Sequence, residues 1–278
     1  MATVNFDNLV IDRVTAGWFE TKTDNKLLAV LDQISNFQVN TSSETKDKTD
    51  SQGALLKRYY TAKSVEVTGE NAVFSMNLLS IQTGSEKKVG TDVVLPRIIQ
   101  ATKPSSGTFT VELPDAPENG TLIVVGTTSN GLPDVSKQYE RDDNAGAGKY
   151  SVTVSEGVTT IAMPTDATDI VQIKYEFKVP EGKVAARVDQ TGDKFPKECK
   201  ATFQVLCSDV CDTETVVALY VVFPKFQISP DVDLTFDTES TQAFSASAMK
   251  DYCSKGGILY YVALVEDSDD LDVKPYTE

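Results

Sequence analysis

Apolar residues in this chain recur at every second position, in short runs cut by glycine, proline and polar turns. That period belongs to half-buried β-strands and excludes a helical bundle. The N-terminal part offers Val10–Val14, Gly17–Thr21, Leu27–Leu31 and Ile34–Asn40, then Lys63–Thr68, where Val65 and Val67 alternate with Ser64, Glu66 and Thr68. The last third offers Cys199–Cys207, Glu214–Phe223, Lys225–Ser229, Asp231–Phe236, Gln242–Ala248 and Ile258–Val265. In Asp231–Phe236 the alternation is clean: Val232, Leu234 and Phe236 fall on one side, and Asp231, Asp233, Thr235 and then Asp237 on the other. It reads as a strand with a carboxylate-rich outer face.

One segment breaks the period. Val73, Phe74, Asn77, Leu78 and Ile81 fit 3.6-residue spacing, with Asn71 placed to cap a helix running through Asn77 to Thr83. Gly84 stands where such a helix ends, with Lys87 and Lys88 near its negative pole. A single helix whose apolar stripe packs on a sheet is expected.

Between Ile34–Asn40 and Lys63–Thr68 lies Thr41–Gly53, a stretch without one apolar residue. It is too polar to join a core and too long for a tight turn, so it reads as a protruding loop, a surface feature or an interaction element. Lys57-Arg58-Tyr59-Tyr60 follows, the one basic-aromatic cluster, in residue types favoured at protein interfaces.

Composition shifts near residue 104. Lys103–Gly107 resembles a linker, and five strand-like runs follow: Thr108–Leu113, Thr121–Thr127, Lys149–Ser155, Val158–Met163 and Ile170–Val179. Polar stretches, the longest being Ser129–Gly148, separate them. Evenly spaced short strands suggest a small immunoglobulin-like β-sandwich over 104–187, although the Cys…Trp…Cys spacing of antibody domains is absent. Residues 1–103 and 188–278 would then form one β-sandwich in two parts. The expected class is all-β with one flanking α-helix.

With 26 Lys and Arg against 41 Asp and Glu, the net charge is −15, which opposes general binding to nucleic acid or anionic membranes. The three segments 1–90, 91–190 and 191–278 carry −1, −5 and −9, so the acidic excess gathers at the C-terminal end, which closes on the acidic run Glu266–Asp272, read as a mobile tail. Histidine is absent, which removes Ser-His and Cys-His catalysis and the commonest zinc ligand. No phosphate-loop, dinucleotide, nucleophile-elbow or zinc-protease motif occurs. Asp231, Asp233 and Asp237 lack EF-hand spacing and read as a solvated strand face rather than calcium ligands. Cys199, Ala201, Phe203, Val205 and Cys207 share one strand face, so those two thiols read as core residues, and Cys207-x-x-x-Cys211 with Cys253 makes no zinc pattern. Trp18 reads as an amphipathic anchor or a core residue. No catalytic residue, cofactor or metal is expected. The start shows no basic-then-apolar signal pattern, and the longest apolar runs, Val216–Phe223 and Ile258–Val265, fall well short of the roughly 20 residues a membrane helix needs.

Tyr60–Glu86 resembles bacteriophage tail-type structural proteins, and so do Phe195-Pro-Lys ahead of Cys199–Cys207, Tyr220–Pro230 and Gly256–Tyr260. The resemblance to the tail tube (major tail) family implies a β-sandwich subunit that forms hexameric rings stacked into a hollow DNA conduit. It implies self-assembly rather than catalysis, in a virion tail put together in the bacterial cytoplasm. Implied partners are further copies of the chain and other tail proteins such as the tape measure, terminator and sheath, with DNA passing unbound. The family's stacking loop would correspond to about Asn40–Gln52, with Glu44, Lys46, Asp47, Lys48 and Asp50, continuing into Leu55, Leu56, Tyr59 and Tyr60. A negative bore would repel phosphates, which makes Asp231, Asp233 and Asp237 candidate lumen residues. The middle block departs from a minimal tube subunit and reads as an inserted exterior decoration. Rival readings are a capsid decoration or baseplate component, a carbohydrate- or receptor-binding β-sandwich, and a histidine-free hydrolase using carboxylates.

Overall fold

The computed structural model describes residues 8–91, 93–128, 130–210, 216–252 and 257–265. Alternation becomes ladder almost throughout: among the described residues seventeen strands form, with one short helix. The chain divides into two units, one built from residues up to Lys87 and again from Val188, the other from Lys88–Arg187.

The first unit opens with β1 (Leu9–Thr21), β2 (Leu27–Leu31), β3 (Ile34–Thr49), β4 (Leu55–Asn71) and α1 (Met76–Thr83). The runs Val10–Val14 and Gly17–Thr21 are one strand, because register shifts between Ile11 and Arg13 and between Val14 and Ala16 carry the chain through without ending the ladder. After the second unit, which holds β5 to β13, the chain returns as β14 (Cys199–Asp209), β15 (Val216–Ile228), β16 (Gln242–Ala248) and β17 (Tyr261–Val265). The runs expected on either side of Pro224 fuse into β15. A register slip opposite, where Ala201 pairs with Phe223 and Cys199 with Phe226, absorbs the missing proline N–H. The sheet order is β2-β1-β14-β15-β16-β4-β3 with β17 beside β15, a near-closed, barrel-like sheet.

Its interior is aromatic. Phe203, at the middle of β14, lies 4.4 Å from the Phe37 ring, 5.7 Å from Phe19, 5.9 Å from Phe223, 6.2 Å from Phe226 and 6.4 Å from Phe244. Two strand glycines make this possible. A Cβ on Gly69 would stand 2.7 Å from Phe244 Cζ, and one on Gly17 would stand 2.7 Å from Ile34 Cδ1 and 3.0 Å from Phe203. Cys199 and Cys207 are free, buried core thiols, as their strand face implied. Burial pushes the Cys199 thiol up to about 12 and raises that of Cys207, where the Asp12 carboxylate adds to the effect. Cys211 and Cys253 lie outside the described residues. Trp18 resolves to the outer face of β1, 44% exposed between buried Gly17 and Phe19.

The helix starts later than Asn71. That residue ends β4, pairing with Ile34 and Gln242, and its side chain donates to the Val73 carbonyl. Ser75 caps instead, its Oγ accepting from the Leu78 N–H at 3.2 Å. Gly84 closes the helix at φ 68° with its N–H on the Ile81 carbonyl, as expected. Lys87 and Lys88 do not sit at its negative pole: Lys87 donates to Asn77 Oδ1 at the other end and Lys88 begins β5. Leu78 and Ile81 enter the aromatic core, and a buried amide relay holds the helix to β16. In it, Gln82 Nε2 donates to the Ala243 carbonyl, Gln242 Nε2 to Gln82 Oε1, and the Ser75 N–H to Gln242 Oε1.

The second unit comprises β5 (Lys88–Gly90), β6 (Val94–Thr102), β7 (Thr110–Leu113), β8 (Ile123–Thr127), β9 (Pro133–Arg141), β10 (Lys149–Ser155), β11 (Val158–Ala162), β12 (Ile170–Lys178) and β13 (Ala185–Arg187). Strand β6 lies ahead of the composition shift at 104, yet pairs along its length with β12. Strand β9 occupies what reads as a polar separator. The order β6-β12-β8-β9 continues into β10-β11-β7 through a parallel contact of two residue pairs, Glu140 with Lys149 and Arg141 with Tyr150. Val124, Ile161, Val171, Ile173 and Tyr175 are fully buried in its own core. The chain enters this unit through β5 and leaves through β13, and the two pair antiparallel, Lys88 opposite Arg187.

Phe203→Ala should cost about 3–5 kcal/mol of stability, since one ring serves five aromatic neighbours. Gly69→Ala should cost about 1–3 kcal/mol by overpacking against Phe244. Denaturant unfolding checks both, and a Gly69→Ala midpoint equal to the parent's would contradict the close-approach account.

Candidate self-assembly surface

The stretch expected as a loop is a ribbon. Beyond Val39 on β3 and before Val65 on β4 the two strands stay paired, from Thr41 opposite Val65 to Thr49 opposite Leu55. Every residue of Asn40–Thr49 and of Leu55–Ser64 is exposed. A loop was expected because strand recognition rests on one face being apolar. Here neither face is consistently apolar: β3 contributes only Thr, Ser and charged residues from Thr41 on, set opposite Leu55, Tyr59 and Tyr60 as well as polar residues of β4. Asp50 makes the turn: its Oδ1 accepts from the N–H groups of Gln52 and Ala54, and Gly53 follows at φ 86°.

Register sorts the side chains of this arm. Lys46 lies opposite Tyr59, Asp47 opposite Arg58 and Lys48 opposite Lys57. One face thus carries Lys46, Lys48, Lys57 and Tyr59, with the Lys57 ammonium 4.9 Å from the Tyr59 ring centre. The other carries the Asp47–Arg58 clasp, in which Arg58 Nε and Nη2 reach the two carboxylate oxygens at 2.8 and 2.9 Å. Those hydrogen bonds hold the Asp47 carboxyl below its usual range and raise Arg58 above its own. Leu55, Leu56 and Tyr60 stand 54%, 61% and 72% exposed along β4. Of the candidate residues, Asp50 and Asp47 are thus engaged inside the arm, Glu44 offers its carbonyl to Thr61, and the lysines face water.

No strand forms at Asp231–Phe236, which corrects the expectation of an acidic strand face. Alternation is present, but the β15–β16 ladder stops at Ile228 opposite Ala246, and the chain leaves the sheet before Asp231. The segment runs as irregular chain from Ser229 to a turn at Asp237–Ser240, with Val232 and Leu234 half-buried. Phe236 is 83% exposed, its ring 6.4 Å from that of Phe74. The Asp237 carboxylate accepts from the Thr238 N–H within that turn. Asp231 and Asp233 border an open groove of about 730 Å³ whose far wall is Asn36, Gln38, Thr68 and Glu70. Glu70 accepts from the Thr241 hydroxyl, and among the described residues no cation pairs with Glu70, Asp231 or Asp233.

Another feature is visible only in three dimensions. In one part of the sheet the order is β1-β14-β15-β17. Among the described residues no strand pairs with the outer edge of β1 between Leu9 and Val14, or with the outer edge of β17. Val10, Ile11, Tyr261 and Val262 are 45–70% exposed on these two edges. Unpaired edges of this kind are templates for another chain. Among the described residues no cluster of metal-ligating side chains occurs, and no helix is long and apolar enough to cross a membrane. The acidic run Glu266–Asp272 lies outside the described residues.

Open edges, an exposed ribbon and an aromatic core thus characterise the described β structure. The signature of the YomU/Tube protein family spans residues 9–261, and the chain belongs to that family of phage tail tube-like proteins. The family is structural, in keeping with an expectation of no enzymatic activity. No curated protein matches the chain.

The clasp on the arm titrates. With the Asp47 carboxyl depressed in the folded arm, its contribution is complete above the ordinary carboxyl value of 3.8 and is lost as pH falls through the lowered folded value. Amide exchange at 45–48 and 57–60, corrected for intrinsic rates, should accelerate in that acid window. Arg58→Ala should remove the pH dependence and leave exchange in β14 unchanged.

Proposed function

We propose that this chain is a bacteriophage tail tube subunit, assembling into hexameric rings that stack as a hollow conduit for DNA. The observation that carries this reading, beside family membership, is the four-strand section β1-β14-β15-β17 with both edges open. Strand direction alternates across it, so β17 of one copy meets β1 of the next antiparallel. Contact between two different edges is heterologous and generates a ring when the rotation closes. The second unit, with two antiparallel groups of strands joined at β9 and β10, is read as an immunoglobulin-like module decorating the tube exterior. The chain's net charge of −15 favours passage of DNA without adhesion.

The arm is read as the element that stacks one ring on the next. A two-stranded ribbon alone is marginally stable in water, so this one gains most of its order from a partner. Sibling copies and further tail proteins are the proposed partners, in the phage tail.

Two truncations test the reading. Ser42 and Ser64 are directly paired, so joining them through Asn-Gly removes the arm without disturbing Val65 or Val67. Electron microscopy of this variant should show folded subunits or single rings and no tubes, and parent-length tubes would refute the stacking role. Joining Lys88 to Arg187 in the same way removes the second unit. That variant should still form tubes, with a smaller outer diameter.

A further inference from the structure

The arm carries an electrostatic cost that no ion pair among the described residues relieves. Lys48 and Lys57 are direct cross-strand neighbours, a like-charge pair that destabilises a ribbon, and Lys46 joins them on the same face. None of the three has an ion pair among the described residues. The one acid between them in the register, Asp47, points to the opposite face and is held by Arg58. In a chain of net charge −15, this face is a local excess of positive charge next to a tyrosine.

The groove beside β3, β4 and β16 is its counterpart. Glu70 on one wall and Asp231 and Asp233 on the other face the same 730 Å³ space, and Asp237 and Glu239 stand along its continuation. Between them lie Asn36, Gln38 and Thr68 together with Ala243 and Phe244, so the groove offers both polar and apolar surface. A carboxylate-lined channel with no cation among the described residues that line it attracts a basic element, and a ribbon bearing three lysines and an aromatic ring matches it in charge. The arm and the channel lie on the same two strands, β3 and β4, the arm being their extension. An arm therefore meets the channel of another copy, and each copy offers one of each.

We propose that the Lys46, Lys48, Lys57 and Tyr59 face of one subunit's arm docks in the groove formed by Glu70, Asp231 and Asp233 of a neighbouring copy. This rests on the reading of the arm as an assembly element and names the surface that receives it. It also gives Asp231 and Asp233 a role other than lining a bore.

A charge-swap experiment on the full chain decides the matter. Asp231→Lys/Asp233→Lys changes an exposed irregular segment, and Lys48→Glu/Lys57→Glu changes an exposed ribbon, so neither touches the core. Each double variant should raise the critical concentration for tube formation by at least about tenfold in sedimentation and microscopy, because like charges then face each other. The four changes together should restore assembly to within about threefold of the parent, and parental assembly should weaken with added salt. If the Asp231/Asp233 variant assembles like the parent while the Lys48/Lys57 variant and the arm-less chain do not, the arm reading stands and this groove is not its receptor. If the combined variant is not rescued, the pairing is likewise overturned. If the arm-less chain forms tubes, both fall together. Tubes of parental length that fail to deliver DNA in the Asp231/Asp233 variant would overturn the docking site and return those acids to the bore.

Discussion

Everything in the first unit depends on how closely two strands approach the ring system around Phe203. The rings of Phe19, Phe37, Phe223, Phe226 and Phe244 all lie within 6.4 Å of it, and they come from β1, β3, β15 and β16. So large a cluster fits inside one sheet only if the sheet curls around it and some strands present no side chain at all. Gly17 and Gly69 supply that absence at opposite sides of the sheet order. The small buried residues Ala201, Cys199 and Cys207 fill what remains along β14. Burying each ring contributes about 1.5–3 kcal/mol, which concentrates stability at the middle of the sheet and leaves its periphery free of packing duties.

That concentration explains why the same two strands behave so differently along their length. Val65 and Val67 anchor β4 in the core, and three residues earlier the strand stands in water on both faces. Hydrogen bonds across the ribbon persist, yet nothing apolar is buried by them. A rigid base with a marginal extension lets the tip adapt without loosening the fold beneath.

Much of the fold was legible in side-chain period. The bounds of β2, β10 and β16 coincide with their alternating runs, and Gly84 marks the helix end as its position implied. Failures share one cause: alternation reports a face to be buried, not a neighbour to be bonded. Asp231–Phe236 alternates and has no ladder partner; the arm has partners and does not alternate. Pro224 reads as a stop, but a slip in the opposing strand lets β15 run through it. Asn71 is a good capping residue by type, yet it is already committed to β4, and Ser75 takes the role. Open edges were the least legible, because an open edge is a property of strand order rather than of any residue. The Lys48–Lys57 opposition likewise exists only once register is known.

The pairing of β5 with β13 has an evolutionary consequence. Entry and exit of the second unit are zipped together as a single hairpin-like stem, Lys88 opposite Arg187. Any module whose termini lie side by side could be spliced at that stem without altering the aromatic core's geometry. Lineages could therefore exchange, duplicate or discard this block while the rest of the chain stays under its own separate selection.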